Sequence, residues 1–519
     1  MLVTVLHGGC GDDSPGDSTD AASPDSATDV TTSGDTADAA LDGASDTAAP
    51  DVAEAGLPNI SEVLDCGREP GSGAGNSNEL QRYQVDTTLF PDAICNDGSA
   101  AVLYFRPYVG EANRDRWLIN LNGGGGCGSG PACAARWCWC RDTEGPDGCE
   151  FAESTTNFSM GNMNADDRAS IGATGIFRRG DPDRENPIGG YNQVRIIYCS
   201  SDSWAGTHRA AELEAIHPTT GEPVAFSVHF LGSRILDAVL ATLRRDGVAS
   251  LEYSFGATPQ ELPDLDDAIE VIVSGDSAGG SGVVANLDRV ADTLRQYNTA
   301  CAGESCPLVV RGLIDAAIGP DMSRLDFSAS MVTEFGGSTY DDYLTLLETV
   351  IDANHEPVGD TSCDAWHAAN APESAAQCAD STHIIRHHVT TPFFVRMALL
   401  DTLISDRYSE GGYADPALGP MNIGTFARVL QRELLAFADL PATAEEGDQM
   451  FVAPGVFAPA CSKHDTLHSD AEVFETSITP RGGSEMLLFD ALRNWVDGVS
   501  PSALASASIT REDTFCAAE

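Results

Sequence analysis

Ser277 lies in Gly275-Asp276-Ser277-Ala278-Gly279, a G-x-S-x-G pentapeptide of the kind that carries a nucleophilic serine. The apolar run Ala268-Ile269-Glu270-Val271-Ile272-Val273 precedes it and reads as a buried strand. An amphipathic stretch from Gly280 to Val290 follows and reads as a helix. Strand, sharp turn and helix form the context in which a hydroxyl projects from the top of a sheet, within reach of a base. Small residues two positions either side are needed because the turn leaves no room for larger ones.

Acyl transfer through such a serine requires a base, an acid that orients the base, and donors for the oxyanion. Asn122-Gly123-Gly124-Gly125-Gly126 follows the apolar run Trp117–Leu121, so backbone N–H groups of Gly124 and Gly125, with that of Ala278, can converge on a developing alkoxide. The same run satisfies G-x-G-x-x-G at Gly123, Gly125 and Gly128. Pro131 and nearby cysteines then follow where a dinucleotide site needs a long helix, so no cofactor is expected.

The order Ser, acid, His along the chain points to Asp401, at the end of the apolar run 392–400, as the acid. Asp315, which ends the run 308–314, is its rival. His464, in the Pro- and Cys-containing loop after Phe457, is the expected base, and His468 competes with it. His383, His387 and His388 precede Asp401 and break the order. They cluster, but Asp, Glu or Cys partners at ligand spacing are not evident, and no metal site is read there.

These residues need a scaffold, and apolar runs alternating with helical patterns predict an α/β fold with a mostly parallel sheet. Strands are expected at 117–121, 194–198, 268–273, 308–314 and 392–400. Helices are expected at 231–245, 283–297 and 484–497. Residues 320–390, with a helical stretch at 339–352, read as an insertion over the sheet, a lid or pocket wall.

With 519 residues, 42% of them hydrophobic, the chain can build a large core. A formal net charge of −50 argues against nucleic acid or an anionic membrane as partner. Part of that charge is local: residues 11–54 hold twelve acids and no Lys or Arg, and 11–58 reads as a disordered linker ahead of a catalytic domain at 59–519. Residues 1–10, ending in Gly8-Gly9-Cys10, look like a shortened secretory signal with a lipidation site at Cys10, the one expected route to a membrane. Fourteen further cysteines suffice for seven disulfides, contain no C-x-x-C pair, and suggest export. Cys301 and Cys306 would close a short loop after the serine helix.

Several blocks, in order, resemble the pectin acetylesterase/Notum family of α/β-hydrolases: Cys95-Asn96-Asp97-Gly98-Ser99, Trp117 to Gly124, Tyr198-Cys199-Ser200-Ser201-Asp202-Ser203-Trp204, the elbow with Asn286-Leu287-Asp288-Arg289, and Phe457 to Cys461 before His464. The resemblance spans about 60–500 and implies an exported serine carboxylesterase, here expected from a bacterium. It implies the triad Ser277, Asp401 and His464, an oxyanion site at Gly124, Gly125 and Ala278, and a Cys95–Cys199 disulfide. Asp202 and Trp204 would line the entrance or equally fix the loop around that disulfide. The family usually has Glu where Asn122 stands, and a large aromatic where Gly125-Gly126 stands, so a pocket wall must come from elsewhere, with Trp137 and Trp139 as candidates.

The implied substrate is an acylated, most simply acetylated, carbohydrate, acted on by a monomer. The acidic chain weighs against a bare polygalacturonate. Two other readings share the fold: a hormone-sensitive-lipase-like esterase, whose His-Gly-Gly-Gly block is absent here, and a catalytically inactive surface-anchored binding protein.

Overall fold

The computed structural model describes residues 56–66, 79–138, 163–181, 184–246, 252–253, 260–302, 305–327, 339–346, 348–349, 353–437, 454–499, 503–510 and 514–516. Cys10, the acidic segment up to residue 55 and Trp139 lie outside them.

A ten-stranded sheet organises the domain. Its strands in chain order are β1 Leu80–Gln84, β2 Val102–Arg106, β3 Arg116–Leu121, β4 Ser170–Ile171, β5 Asn192–Ile196, β6 Glu270–Asp276, β7 Val309–Asp315, β8 Phe393–Arg396, β9 Gly455–Ala458 and β10 Ala503–Ala505. Across the sheet they run β10-β9-β8-β7-β6-β3-β5-β2-β1-β4. From β10 to β5 every pairing is parallel; β2, β1 and β4 extend the far edge antiparallel. β6 is buried at all seven positions, as expected of a parallel strand covered on both faces.

The alternation of side chains sorts the core into two layers. Trp117, Ile119, Leu121, Val271 and Val273 pack on one face with the helices Gly232–Leu243 and Ala278–Tyr297. Leu118, Ile272, Leu313 and Phe394 pack on the other with the helix Leu488–Val496. The five strands expected from apolar runs are therefore present. The run 392–400 is strand only over Phe393–Arg396; beyond it the chain turns along the start of the His464 loop, with Leu399 N–H donating to the Pro459 carbonyl (2.8 Å) and Leu400 N–H to the Cys461 carbonyl (3.0 Å).

One expectation needs correction, and a second gains a neighbour. Residues Gly130–Cys138 do form a helix after the glycine run, because a proline in the first helical turn removes only an N–H that has no intrahelical partner. The helix begins against another backbone: a Cβ on Gly130 would lie 1.8 Å from the Glu214 carbonyl oxygen, on the antiparallel ribbon His208–Ile216/Pro223–Phe230. The second concerns the insertion. Its helices Thr361–Asn370 and Ser381–His387 bring His367 against His383, supplying a neighbour that spacing alone did not reveal.

Six disulfides join described cysteines: 66–138, 95–199, 127–133, 301–306, 363–378 and 461–516. The Cys95–Cys199 and Cys301–Cys306 pairings agree with expectation. Cys461–Cys516 closes 55 residues, whereas Cys301–Cys306 closes five. Chain-entropy reasoning gives ~4 kcal/mol for the former and ~2 for the latter. Cys461→Ser/Cys516→Ser is therefore expected to lower stability about twice as much as Cys301→Ser/Cys306→Ser in urea unfolding. Equal losses would show that the two bonds do not act through the unfolded chain.

Candidate active site

Ser277 connects β6 to the helix Ala278–Tyr297 with φ 52° and ψ −120°, a backbone conformation that a non-glycine residue holds only under constraint. The constraint is close packing. A Cβ on Gly275 would stand 2.2 Å from the Gly279 carbonyl oxygen, and one on Gly279 would stand 1.9 Å from that of Leu121. The elbow thus closes only with glycine at both positions, and the helix begins directly against the end of β3.

The Ser277 hydroxyl lies 2.9 Å from His464 Nε2, and His464 Nδ1 lies 2.7 Å from Asp401 Oδ2. Asp401 has no solvent exposure and also caps the helix Thr402–Glu410, accepting from the Ile404 N–H through Oδ1 (3.0 Å). A carboxylate fixed at both oxygens holds the imidazole with its proton on Nδ1 and its lone pair towards the serine. Burial pushes the His464 imidazole down, but the Asp401 charge and hydrogen bond outweigh it, so His464 stands above an ordinary histidine.

Asp315, the rival acid, has a different place. It pairs with Arg396 at 3.1 Å, both without solvent exposure, and its other oxygen accepts from the N–H groups of Thr466 (2.7 Å) and Leu467 (3.2 Å). Burial pushes its carboxyl up, opposed by the Arg396 charge. Arg396 donates in turn to the His464 carbonyl at 2.9 Å. The backbone carbonyl of Asp315 accepts from the Ser277 N–H at 2.8 Å. Asp315 and Arg396 therefore hold the base loop and the elbow together from beneath.

His468, the rival base, hydrogen-bonds Asp276 at 2.8 Å and stacks on Phe177. The other Asp276 oxygen accepts from the Gly123 N–H (3.2 Å), which anchors the start of the glycine run. Burial raises the Asp276 carboxyl, but His468 and Arg195 outweigh it and hold it below the usual range. Gly124 (φ 147°) and Gly125 (φ 67°) follow in conformations suited to glycine. Ala278 carries the first N–H of its helix, one of those the helix cannot satisfy itself.

Trp204 is fully buried and does not line an entrance. Its indole N–H donates to the Asn122 carbonyl (3.1 Å), and its own carbonyl accepts from Asn286 (3.0 Å). Gly282 leaves room for the ring, since a Cβ there would meet it at 2.6 Å. Ser201, Ser203 and Trp204 all have positive φ. The loop is held in that shape by Asp202, which accepts from Ser200 and from the N–H groups of Trp204 and Gly232. Burial pushes the Asp202 carboxyl up to about 6. Asn96, beside the Cys95–Cys199 bond, donates to the carbonyls of Ser200 and His229. Asp202 also contributes to the wall of a cavity of about 280 Å³, with Ser281, His355, Val358, Ala376 and Ile384. Trp137 points elsewhere, donating to the Leu64 carbonyl. Arg396 and Asn96 had no sequence signal of their own. They matter because they satisfy backbone groups that only the fold brings near.

Residues 76–255 match the family model described as Pectinacetylesterase. Over that stretch the chain is similar to the pectinacetylesterase family. The palmitoleoyl-protein carboxylesterase NOTUM of Drosophila melanogaster is 31% identical over 247 residues, 47% of this chain and 29% of that protein. Notum2 of Xenopus laevis, another palmitoleoyl-protein carboxylesterase, is 30% identical over 267 residues, 50% of this chain and 42% of that protein. Pectin acetylesterase 11 of Arabidopsis thaliana is 25% identical over 211 residues, 40% of this chain and 41% of that protein. The matched stretches thus span less than half of each relative. The solved structure of the Wnt deacylase Notum from Drosophila shares the α/β-hydrolase fold, with a TM-score of 0.52 at 21% identity, covering 84% of this chain and 98% of the other. The family match ends before Ser277, so the reading of the serine, acid and base in this chain rests on their geometry.

Removing Arg396 would leave the Asp315 charge buried and unpaired. Arg396→Leu is expected to cost ~3–5 kcal/mol by urea unfolding. Arg396→Leu with Asp315→Asn is expected to cost less than the single change. A double variant as unstable as the sum of the two single variants would mean that the two side chains are not coupled.

Proposed function

We propose that this protein is a serine carboxylesterase that removes an acyl group, most simply acetyl, from a carbohydrate or related ester. The observation that carries the proposal is the unbroken chain Ser277 Oγ, His464 Nε2, His464 Nδ1, Asp401 Oδ2, with links of 2.9 and 2.7 Å. His464 takes the hydroxyl proton as Ser277 attacks the ester carbonyl, and returns it to the departing alcohol. Water, activated by the same imidazole, then releases the acid. Asp401 keeps the tautomer and supports the imidazolium.

Gly124, Gly125 and Ala278 offer N–H groups to the tetrahedral oxyanion, an effect worth ~3 kcal/mol per donor. The ester class is supported by relatives named for protein deacylation and for pectin acetylesterase activity. Those two names involve acyl groups of very different size, so a panel of chromogenic esters graded by acyl length tests the acetyl assignment. The six disulfides among described residues fit an extracellular protein, and we place its work outside the cytoplasm.

With p-nitrophenyl acetate, Ser277→Ala is expected to lower kcat by at least ~10³ while leaving the unfolding midpoint little changed. A variant as fast as the parent removes the triad and leaves a binding protein with this fold.

The general base works only when neutral. Because His464 is held above the ordinary value of ~6.5, kcat/KM should rise with pH along a limb centred above that value. Asp401→Asn should move the limb down and cut kcat by up to ~10⁴. The stability linked to His464 runs the opposite way: it is fully present below ~6.5 and is lost as pH rises through the raised folded value. A limb that does not move in Asp401→Asn would assign the titration to another group.

A further inference from the structure

The insertion contains a cluster of imidazoles that the esterase chemistry does not use. His367 Nε2 lies 3.1 Å from His383 Nε2, and His388 Nε2 lies 3.3 Å from the same atom. Ligand atoms of the three, together with the Cys363 sulfur, all fall within 4.8 Å of one another. Cys363 is bonded to Cys378 and offers no thiolate. His367 is 1% exposed and His388 is 8% exposed, while His383 is half-buried.

Proton counting makes the arrangement unusual. His367 Nδ1 faces the Ser374 hydroxyl (3.1 Å) and the Ala371 carbonyl (3.3 Å), and the hydroxyl itself donates to that carbonyl (3.0 Å). A carbonyl only accepts, so His367 carries its proton on Nδ1 and directs a bare Nε2 at His383. A neutral His383 has at most one proton at Nε2 to place between two facing nitrogens, leaving one or both contacts poorly satisfied. A cation among the three satisfies all of them. The spacing suits one: Zn–N bonds of ~2.0–2.1 Å in a tetrahedron hold ligand nitrogens ~3.3 Å apart. The Ser374 and Ala371 contacts are the outer partners that orient a ligating histidine.

We propose that His367, His383 and His388 bind one divalent transition-metal ion of the zinc class through their Nε2 atoms, with a fourth position left to water or another small ligand. The ion joins the helix Thr361–Asn370 to the helix Ser381–His387. Asp364 and Ile384, one on each helix, line the cavity of about 280 Å³, so the site staples part of the cavity wall. Imidazole ligands suit zinc, cobalt, nickel and copper, whereas calcium and magnesium require oxygen. The site is separate from Ser277, and its test reads metal rather than ester hydrolysis.

The full oxidised chain, stripped with chelator and titrated with Co²⁺, is expected to bind one ion and show the visible d–d bands of a four-coordinate site, displaced by one equivalent of Zn²⁺. His383→Ala and, separately, His388→Gln should weaken Co²⁺ binding at least ~100-fold, beyond the loss typical of an outer-shell change. His387→Ala, at an exposed neighbour, should bind as the parent does. Absence of stoichiometric binding in the parent chain overturns the site, as does binding that survives in both ligand variants. Binding that appears only after reduction of Cys363–Cys378 also overturns it, in favour of a thiolate site.

Discussion

The ion pair between Asp315 and Arg396 is the contact on which the site's geometry depends. Each side chain has no exposure, and each also serves backbone groups: Asp315 accepts from Thr466 and Leu467, and Arg396 donates to the His464 carbonyl. The strands that carry them, β7 and β8, are neighbours and pair Asp315 with Arg396 in register. A parallel sheet brings all its C-terminal ends to one edge, where backbone groups run out of strand partners. Here two opposite charges occupy that edge and bind the loop that follows β9. The arrangement is costly to desolvate and tolerates no loss of one partner.

A second tie runs on the other side of the serine. Asp276 reaches both His468 and the Gly123 N–H, so the strand that leads into Ser277 also holds the start of the glycine run. Trp204 completes the brace through the Asn122 carbonyl. Elbow, glycine run and base loop are thus each tied to a neighbour by a buried polar contact. Direct close approach at Gly275 and Gly279 adds a steric lock that no other residue type would permit.

Much of this was legible in the sequence, for identifiable reasons. Strands buried on both faces write themselves as apolar runs, and β3, β5, β6, β7 and β8 were found that way. Ser277, Asp401 and His464 follow β6, β8 and β9 in turn, and β9 was not among the strands expected from apolar runs. The ribbon His208–Ile216/Pro223–Phe230 was missed because Ala, Glu and Leu, which favour helices, make up much of its first strand. Its alternation of buried and exposed positions emerges only when it pairs. Asp315 and His468 looked like alternatives to Asp401 and His464, since all lie near strand ends or in the same loop. What separates them is which partner lies within 3 Å, and spacing along the chain cannot express that. His367 escaped for the same reason: it stands on a different helix from His383 and His388, and only the fold makes them neighbours.

The cavity beside the elbow is walled largely from the insertion, by residues such as Ala376, Cys378 and Ile384, and none of these takes part in the ties described above. The cavity wall and the Ser277, His464 and Asp401 contacts are therefore contributed by largely different parts of one chain. Substitutions confined to the insertion would reshape that cavity while leaving the Ser277, His464 and Asp401 contacts unchanged.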